Sequence, residues 1–216
     1  MKTLTELATK YGTDKQESQH DYMKMYEKEL KTINVNSFLE IGIGQGKSLK
    51  MWREYYPQAK LYGIERFGCE ENTIIHHSYK GEDIKELIVI DGDSSKMETW
   101  QSIPYDLDVI VEDGDHTPET MVNTFLLGFD HLRKGGLYFM EDTHVGFIQP
   151  EFYIDKHNYV YDWLFSLIIN QQEALNYQYV VNAPGNFYFN QDKMNLVAQK
   201  IFSYHCYKSV IVFERS

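Results

Sequence analysis

Short apolar runs alternate with amphipathic stretches along most of this chain. The apolar runs fall at 37–43, 60–64, 87–91, 107–112 and 137–141, the length expected of strands. Helical spacing occupies 47–56, 67–78, 95–102, 118–133 and 157–173, and a polar amphipathic helix at 16–32 precedes the first strand. Val109-Ile110-Val111 is apolar at every position, which suits a parallel strand covered on both faces. The alternation predicts a doubly wound α/β sheet. Later strands at 178–182 and 209–214 would complete seven strands, the last two forming an antiparallel hairpin. A length of 216 residues fits one domain, with 1–34 as a helical extension and 35–216 as the core.

Ligands of such sheets bind outside the carboxyl ends of the strands. There the first strand runs from Glu40 into Gly42, Gly44 and Gly46, and a helix starts at Lys47-Ser48. Glycines are expected where backbone must come close to a ligand. The spacing differs from the G-x-G-x-x-G of pyrophosphate sites. Glu40 would repel a phosphate and suits a cationic ligand, such as the aminoacid-sulfonium end of S-adenosylmethionine. A glycine-rich turn with no ligand is the plain alternative. Glu65 closes the second strand, where an acid accepts hydrogen bonds from ribose hydroxyls. Asp93 and Ser94 follow the third strand. They either meet an adenine or form a turn and helix cap.

Glu112-Asp113-Gly114-Asp115-His116 closes the fourth strand, and Asp142 closes the fifth. Crowded carboxylates repel unless a cation compensates, and Mg²⁺ or Mn²⁺ takes oxygen ligands. Asp113 and Asp142 are the expected metal ligands across the crevice. Solvated acidic loops paired to Lys or Arg are the alternative. His116 is placed to act as a general base toward an acceptor hydroxyl, with His144 a weaker candidate.

The formal net charge of −11 disfavours nucleic acid as a partner. Cys69 and Cys206 lie far apart and show no metal spacing, as in a reducing compartment. The first residues carry no apolar signal core and no run reaches the length of a membrane span, so a cytoplasmic protein is expected.

These residues resemble the Mg²⁺-dependent sugar O-methyltransferases related to the macrolide 2''- and 3''-O-methyltransferases. The resemblance covers about residues 8–147. It rests on Tyr11-Gly12-Thr13-Asp14-Lys15, His20, Tyr22, Tyr26 and Glu27, on the run from Phe38 to Gly44, and on Ser48-Leu49 and Met51-Trp52. Gly92-Asp93, Glu112-Asp113-Gly114, His116, Gly135-Gly136, Glu141-Asp142 and His144 complete it. It implies a Rossmann-like class I methyltransferase fold and an S-adenosylmethionine- and Mg²⁺-dependent O-methyltransferase. It also implies that Thr13, Asp14 and Lys15 close over the cofactor, with Ser48 and Asp113 in the same pocket, and that Glu27 is a third metal ligand beside Asp113 and Asp142. Departures at Asp115, at Thr120-Met121 and after His144 flank the acceptor pocket. They favour a nucleotide-linked hexose or heptose, or a glycan precursor, over a macrolide sugar; a homo-oligomer is allowed. Aromatics between Phe147 and Trp163 would stack on an acceptor or pack the core. A small-phenol or catechol O-methyltransferase and a non-catalytic cofactor-binding module are the competing readings.

Overall fold

The computed structural model describes residues 2–67, 84–145 and 196–216, with 160, 161, 163, 164, 167 and 168 of a helical stretch. Seven strands form one sheet in the order β3-β2-β1-β4-β5-β7-β6. They are β1 (Ser37–Ile41), β2 (Lys60–Glu65), β3 (Leu87–Asp91), β4 (Leu107–Glu112), β5 (Leu132–Met140), β6 (Ile201–Cys206) and β7 (Ile211–Arg215). The first five pair in parallel, and β7 pairs antiparallel with both β5 and β6. The strand order reverses between β1 and β4, so their carboxyl ends open the crevice where such folds bind ligands.

Alternation along each strand divides the core in two. Leu39 and Ile41 of β1, Ile110 of β4 and Tyr138 and Met140 of β5 pack on one face, with Phe125, Trp100 and Trp163. Phe38, Val109, Val111, Leu137 and Phe139 point the other way, onto Trp52, Tyr26 and Leu4. All six residues of β4 are buried, as a central parallel strand requires. The second face is closed by α1 (Leu4–Tyr11), α2 (Met23–Leu30) and α3 (Lys47–Tyr55). A Thr3–Glu6 capping box starts α1, and Gly12, at φ +66°, ends it. On the first face lie α4 (Met97–Trp100) and α5 (Pro118–Gly128), the latter capped by the Thr117 side chain and followed by a 3₁₀ turn at Phe129–His131.

Several predicted bounds shift. β1 stops at Ile41 because Gly42, at φ +86°, turns the chain. The extended helix expected over 16–32 is helical only from Met23, since residues 13–22 fold into turns. β5 starts at Leu132, earlier than expected, because Gly135-Gly136 absorbs an irregularity between the Leu107↔Leu132 and Val109↔Leu137 pairings. The edge strand β6 is not among the predicted strands, and its one buried residue is Ile201 while Phe202 is exposed, so burial does not follow hydrophobicity along it. The predicted strand 178–182, Cys69, the helix 67–78 beyond its first residue, and Phe147, Phe152, Tyr153 and Tyr159 lie outside the described residues. Trp163 is buried in the core, and the Tyr161 hydroxyl meets Thr143 Oγ1 at 3.0 Å. No helix among the described residues is long and apolar enough to cross a membrane.

Candidate active site

The carboxyl ends of β1, β2 and β3 form a braced loop. Gly42, Gly44 and Gly46 all adopt positive φ. A Cβ on Gly42 would lie 1.9 Å from the Asp113 carbonyl oxygen, so the neighbouring strand end by itself requires glycine here. Among the described residues a Cβ on Gly44 would meet nothing within 4 Å, so none of them covers this side of the loop. Glu65 closes over that loop from β2. Its Oε2 accepts hydrogen bonds from the backbone N–H groups of Ile43 (2.9 Å) and Gly44 (3.0 Å), and Oε1 accepts from Arg66 N–H (2.9 Å).

Asp93 caps its own turn, accepting from the Ser95 N–H (2.9 Å) and hydroxyl (2.6 Å). Ser94 is buried, with its hydroxyl paired to Thr124 Oγ1 at 2.9 Å. The expected turn forms at Asp93, but the residue at the N-cap of α4 is Lys96, with no side-chain cap, in place of Ser94 or Ser95, and the Ser94 hydroxyl pairs with α5.

Glu40 is wholly buried, and its Oε2 accepts from the Ser48 hydroxyl at 2.8 Å. The cation beside it is Lys15, whose Nζ lies 3.7 Å from Glu40 Oε1. Burial pushes the Glu40 carboxyl up to about 7, with Lys15 pulling it back. Among the described residues the cation nearest this carboxylate is thus the protein's own ammonium.

Lys15 is the centre of the acidic side. Only 1% exposed, it donates to Asp113 Oδ2 and to Glu141 Oε2, each at 2.5 Å. Burial alone would lower its pKa, but Asp113, Glu141 and Glu40 hold it well above the usual lysine value. Thr13 is buried beside it, and its hydroxyl donates to the exposed Asp14 at 3.3 Å.

Beyond Lys15 the carboxylates of β4 and β5 face one another. Asp113 Oδ1 and Asp142 Oδ2 lie 3.8 and 3.6 Å from His116 Nε2. Among the described residues these three form a group whose ligand atoms all fall within 4.8 Å of one another. His116 (φ +58°) and Asp142 (φ +53°) both hold left-handed backbone, an unfavourable conformation for non-glycine residues and one that recurs at functional sites. His116 Nδ1 and Glu112 Oε2 are buried with no hydrogen-bond partner among the described residues. Burial lifts the Glu112 carboxyl to about 8, against one hydrogen bond from Gly114 N–H. The donor set fits a hard divalent ion: two carboxylate oxygens of unlike strands converge with no cation between them, since Lys15 engages the far oxygen of Asp113.

Two expected members stand elsewhere. Glu27 does not reach this group; its Oε1 accepts from the Leu4 N–H (2.9 Å) and closes the start of α1. Asp115 accepts from the Thr117 N–H (3.0 Å) and hydroxyl (3.1 Å) at the start of α5. Glu141, Tyr22 and His20 entered the sequence reading only as residues carrying the resemblance, with no role at the site. Tyr26 donates to Glu141 Oε1, Tyr22 donates to Asp142 Oδ1, and His20 Nδ1 lies 3.8 Å from the same oxygen. All but Glu141 come from residues ahead of β1, whose spacing gives no hint of where the turns at 13–22 carry them.

No family model matches the chain. It is 31% identical over 155 residues to an L-olivosyl-oleandolide 3-O-methyltransferase of Streptomyces antibioticus, covering 67% of this chain and 38% of that protein. It is 29% identical over 153 residues to the mycinamicin VI 2''-O-methyltransferase of Micromonospora griseorubida, covering 64% of this chain and 35% of the relative. The chain thus spans well under half the length of these curated relatives. Among solved structures it matches the mycinamycin-pathway methyltransferase MycE, determined with Mg, SAH and mycinamycin VI, at a TM-score of 0.74 and 24% identity. That match covers all of this chain and 55% of MycE. The fold is the Rossmann-like class I methyltransferase fold. Homologues of this chain include sugar O-methyltransferases of macrolide pathways.

Proposed function

We propose that this protein is a cytoplasmic S-adenosylmethionine- and Mg²⁺-dependent O-methyltransferase acting on a sugar hydroxyl. The observation that carries the reading is the convergence of Asp113 Oδ1, Asp142 Oδ2 and His116 Nε2 beside the glycine loop. When bound, S-adenosylmethionine supplies the methyl group and Mg²⁺ lowers the pKa of the alcohol it polarises. Asp113 and Asp142 would hold the ion, each through one oxygen. His116 Nε2, facing both, takes the proton from the acceptor hydroxyl. Imidazole suits the base role better than the ligand role here, because Mg²⁺ prefers oxygen donors. The glycine loop and Glu65 would hold the nucleoside, Glu65 reaching the ribose from the end of β2. Lys15 keeps the neighbouring carboxylates compensated.

The acceptor class we favour is a nucleotide-linked hexose or heptose, or a glycan precursor. Its support is the departure from the macrolide pattern at Asp115 and after His144. The test is calorimetric titration of S-adenosylhomocysteine and then Mg²⁺, followed by an acceptor panel with and without chelator. The expected result is binding of both, and methyl transfer to a nucleotide sugar that chelator abolishes. Absence of cofactor binding would overturn the methyltransferase reading. Cofactor binding with chelator-insensitive transfer would overturn the metal.

A further inference from the structure

The two convergent carboxylates are each tied by one oxygen to the same short segment ahead of β1. Lys15 Nζ holds Asp113 Oδ2 at 2.5 Å, and the Tyr22 hydroxyl donates to Asp142 Oδ1. The remaining oxygens, Asp113 Oδ1 and Asp142 Oδ2, are the two that face His116 Nε2. Nor are the ties independent. Tyr22 N–H donates to the Lys15 carbonyl (3.1 Å), and His20 N–H donates to the Asp14 carbonyl (3.1 Å), so one set of turns presents both donors. Lys15 is itself fixed by Glu141, which Tyr26 holds from the other side. Tyr22 and Lys15 are both buried.

We infer that Lys15 and Tyr22 are positioning residues that restrict Asp113 and Asp142 to one free oxygen each, so that the site accepts a small octahedral cation and rejects a larger one. The inference rests on the metal reading above. Its physical basis is that Mg²⁺ binds carboxylates through single oxygens in near-ideal octahedral geometry. Ca²⁺ takes six to eight oxygens and readily accepts bidentate carboxylates. An ammonium and a phenol on the outer oxygens fix each carboxylate's orientation and compete for those oxygens, which disfavours bidentate binding to the ion. Partners of ligand side chains typically change metal affinity by about 10–100-fold when removed.

The decisive variant is Tyr22→Phe, which deletes one hydroxyl and keeps the buried ring. Mg²⁺ and Ca²⁺ would be titrated calorimetrically into wild type and variant, each with S-adenosylhomocysteine present. We expect cofactor affinity to stay within about twofold and Mg²⁺ affinity to fall about tenfold. Ca²⁺ affinity should hold or rise, so the Mg²⁺/Ca²⁺ preference narrows. Lys15→Met should shift the preference the same way, with its folding checked by thermal denaturation. A role confined to packing would weaken both ions together. That result, or an unchanged preference in Tyr22→Phe, overturns the positioning role while leaving the metal site standing. A wild-type protein that binds neither ion overturns both.

Discussion

The two halves of the crevice are built on opposite terms. At the ends of β2 and β3, polar groups are satisfied by the protein's own backbone and hydroxyls: Glu65 on the glycine loop, Asp93 on Ser95, Ser94 on Thr124. At the ends of β4 and β5, like charges converge and two residues hold left-handed backbone. There a carboxylate oxygen and an imidazole nitrogen are buried with no partner among the described residues. A braced half has its geometry before any ligand arrives. A crowded half stores unfavourable charge proximity that a cation would relieve. The halves should therefore separate by ligand, the first governing the nucleoside and the second the ion and the proton.

The sharpest break comes from Asp113→Asn, which keeps shape and removes a charge from the crowded half. Metal-dependent turnover should be abolished and calorimetric Mg²⁺ binding lost, while S-adenosylhomocysteine still binds. Loss of cofactor binding together with the metal would show that the halves are not separable. His116→Ala comes next. As the base its loss should reduce kcat by roughly 10²–10⁴-fold, with Mg²⁺ affinity nearly intact. A large loss of Mg²⁺ affinity would instead make His116 a ligand.

The glycines test where the halves touch. Alanine at Gly42 drives a Cβ into the Asp113 carbonyl at 1.9 Å and strains φ as well, so Gly42→Ala should cost about 2–5 kcal/mol in denaturant unfolding. Gly44→Ala meets none of the described residues and carries only the backbone penalty, about 1–2 kcal/mol. Its main effect should be on cofactor affinity. Equal destabilisation by the two would remove the distinction between a glycine required by packing and one required by an open cradle.

Much of this contrast was legible in the sequence. Strand ends concentrate acids and glycines because parallel β-strands place their carboxyl termini on one side of the sheet, so Gly42–Gly46, Glu65, Asp113 and Asp142 could be located from apolar periodicity alone. The contents of the segment before β1 could not. Lys15 entered only through the resemblance, as part of a segment closing over the cofactor, and nothing in its spacing signals that turns bury its ammonium among three carboxylates. Glu27 fails for the complementary reason. Its place on a helix was predictable, but the helix presents it to the start of α1 and Tyr26 to the site. Gly42 shows a third limit, since a ligand and a neighbouring strand end impose the same sequence requirement.

Glu40 lies on the seam and offers a pH test. Its carboxyl sits at about 7 in the folded protein against an ordinary 4.5, so the folded state binds the extra proton between those values. Stability contributed by the neutral form is present below about 4.5 and is lost as pH rises through about 7. Glu40→Gln retains an acceptor for Ser48 and should flatten that part of the thermal stability profile, raising Tm at pH 8 relative to wild type. An unchanged slope between pH 5 and 8 would mean that Lys15 keeps Glu40 ionised throughout.

The smallest expected effect discriminates most finely within the braced half. Glu65 has two possible duties, bracing Ile43 and Gly44 through Oε2 and receiving ribose hydroxyls. Gln at this position keeps one acceptor oxygen for the loop but loses the negative charge that strengthens a hydrogen bond from a hydroxyl. If bracing is its only duty, S-adenosylhomocysteine affinity in Glu65→Gln should change less than about twofold. If the ribose is also held there, affinity should fall about tenfold, the scale of one charge-assisted hydrogen bond. Mg²⁺ affinity measured in the same titration should not move, because Glu65 lies across β1 from β4 and shares no hydrogen bond with Asp113 or Asp142. A loss of both affinities would mean that the glycine loop transmits Glu65's charge to the metal half through Gly42, where the loop approaches the Asp113 carbonyl most closely.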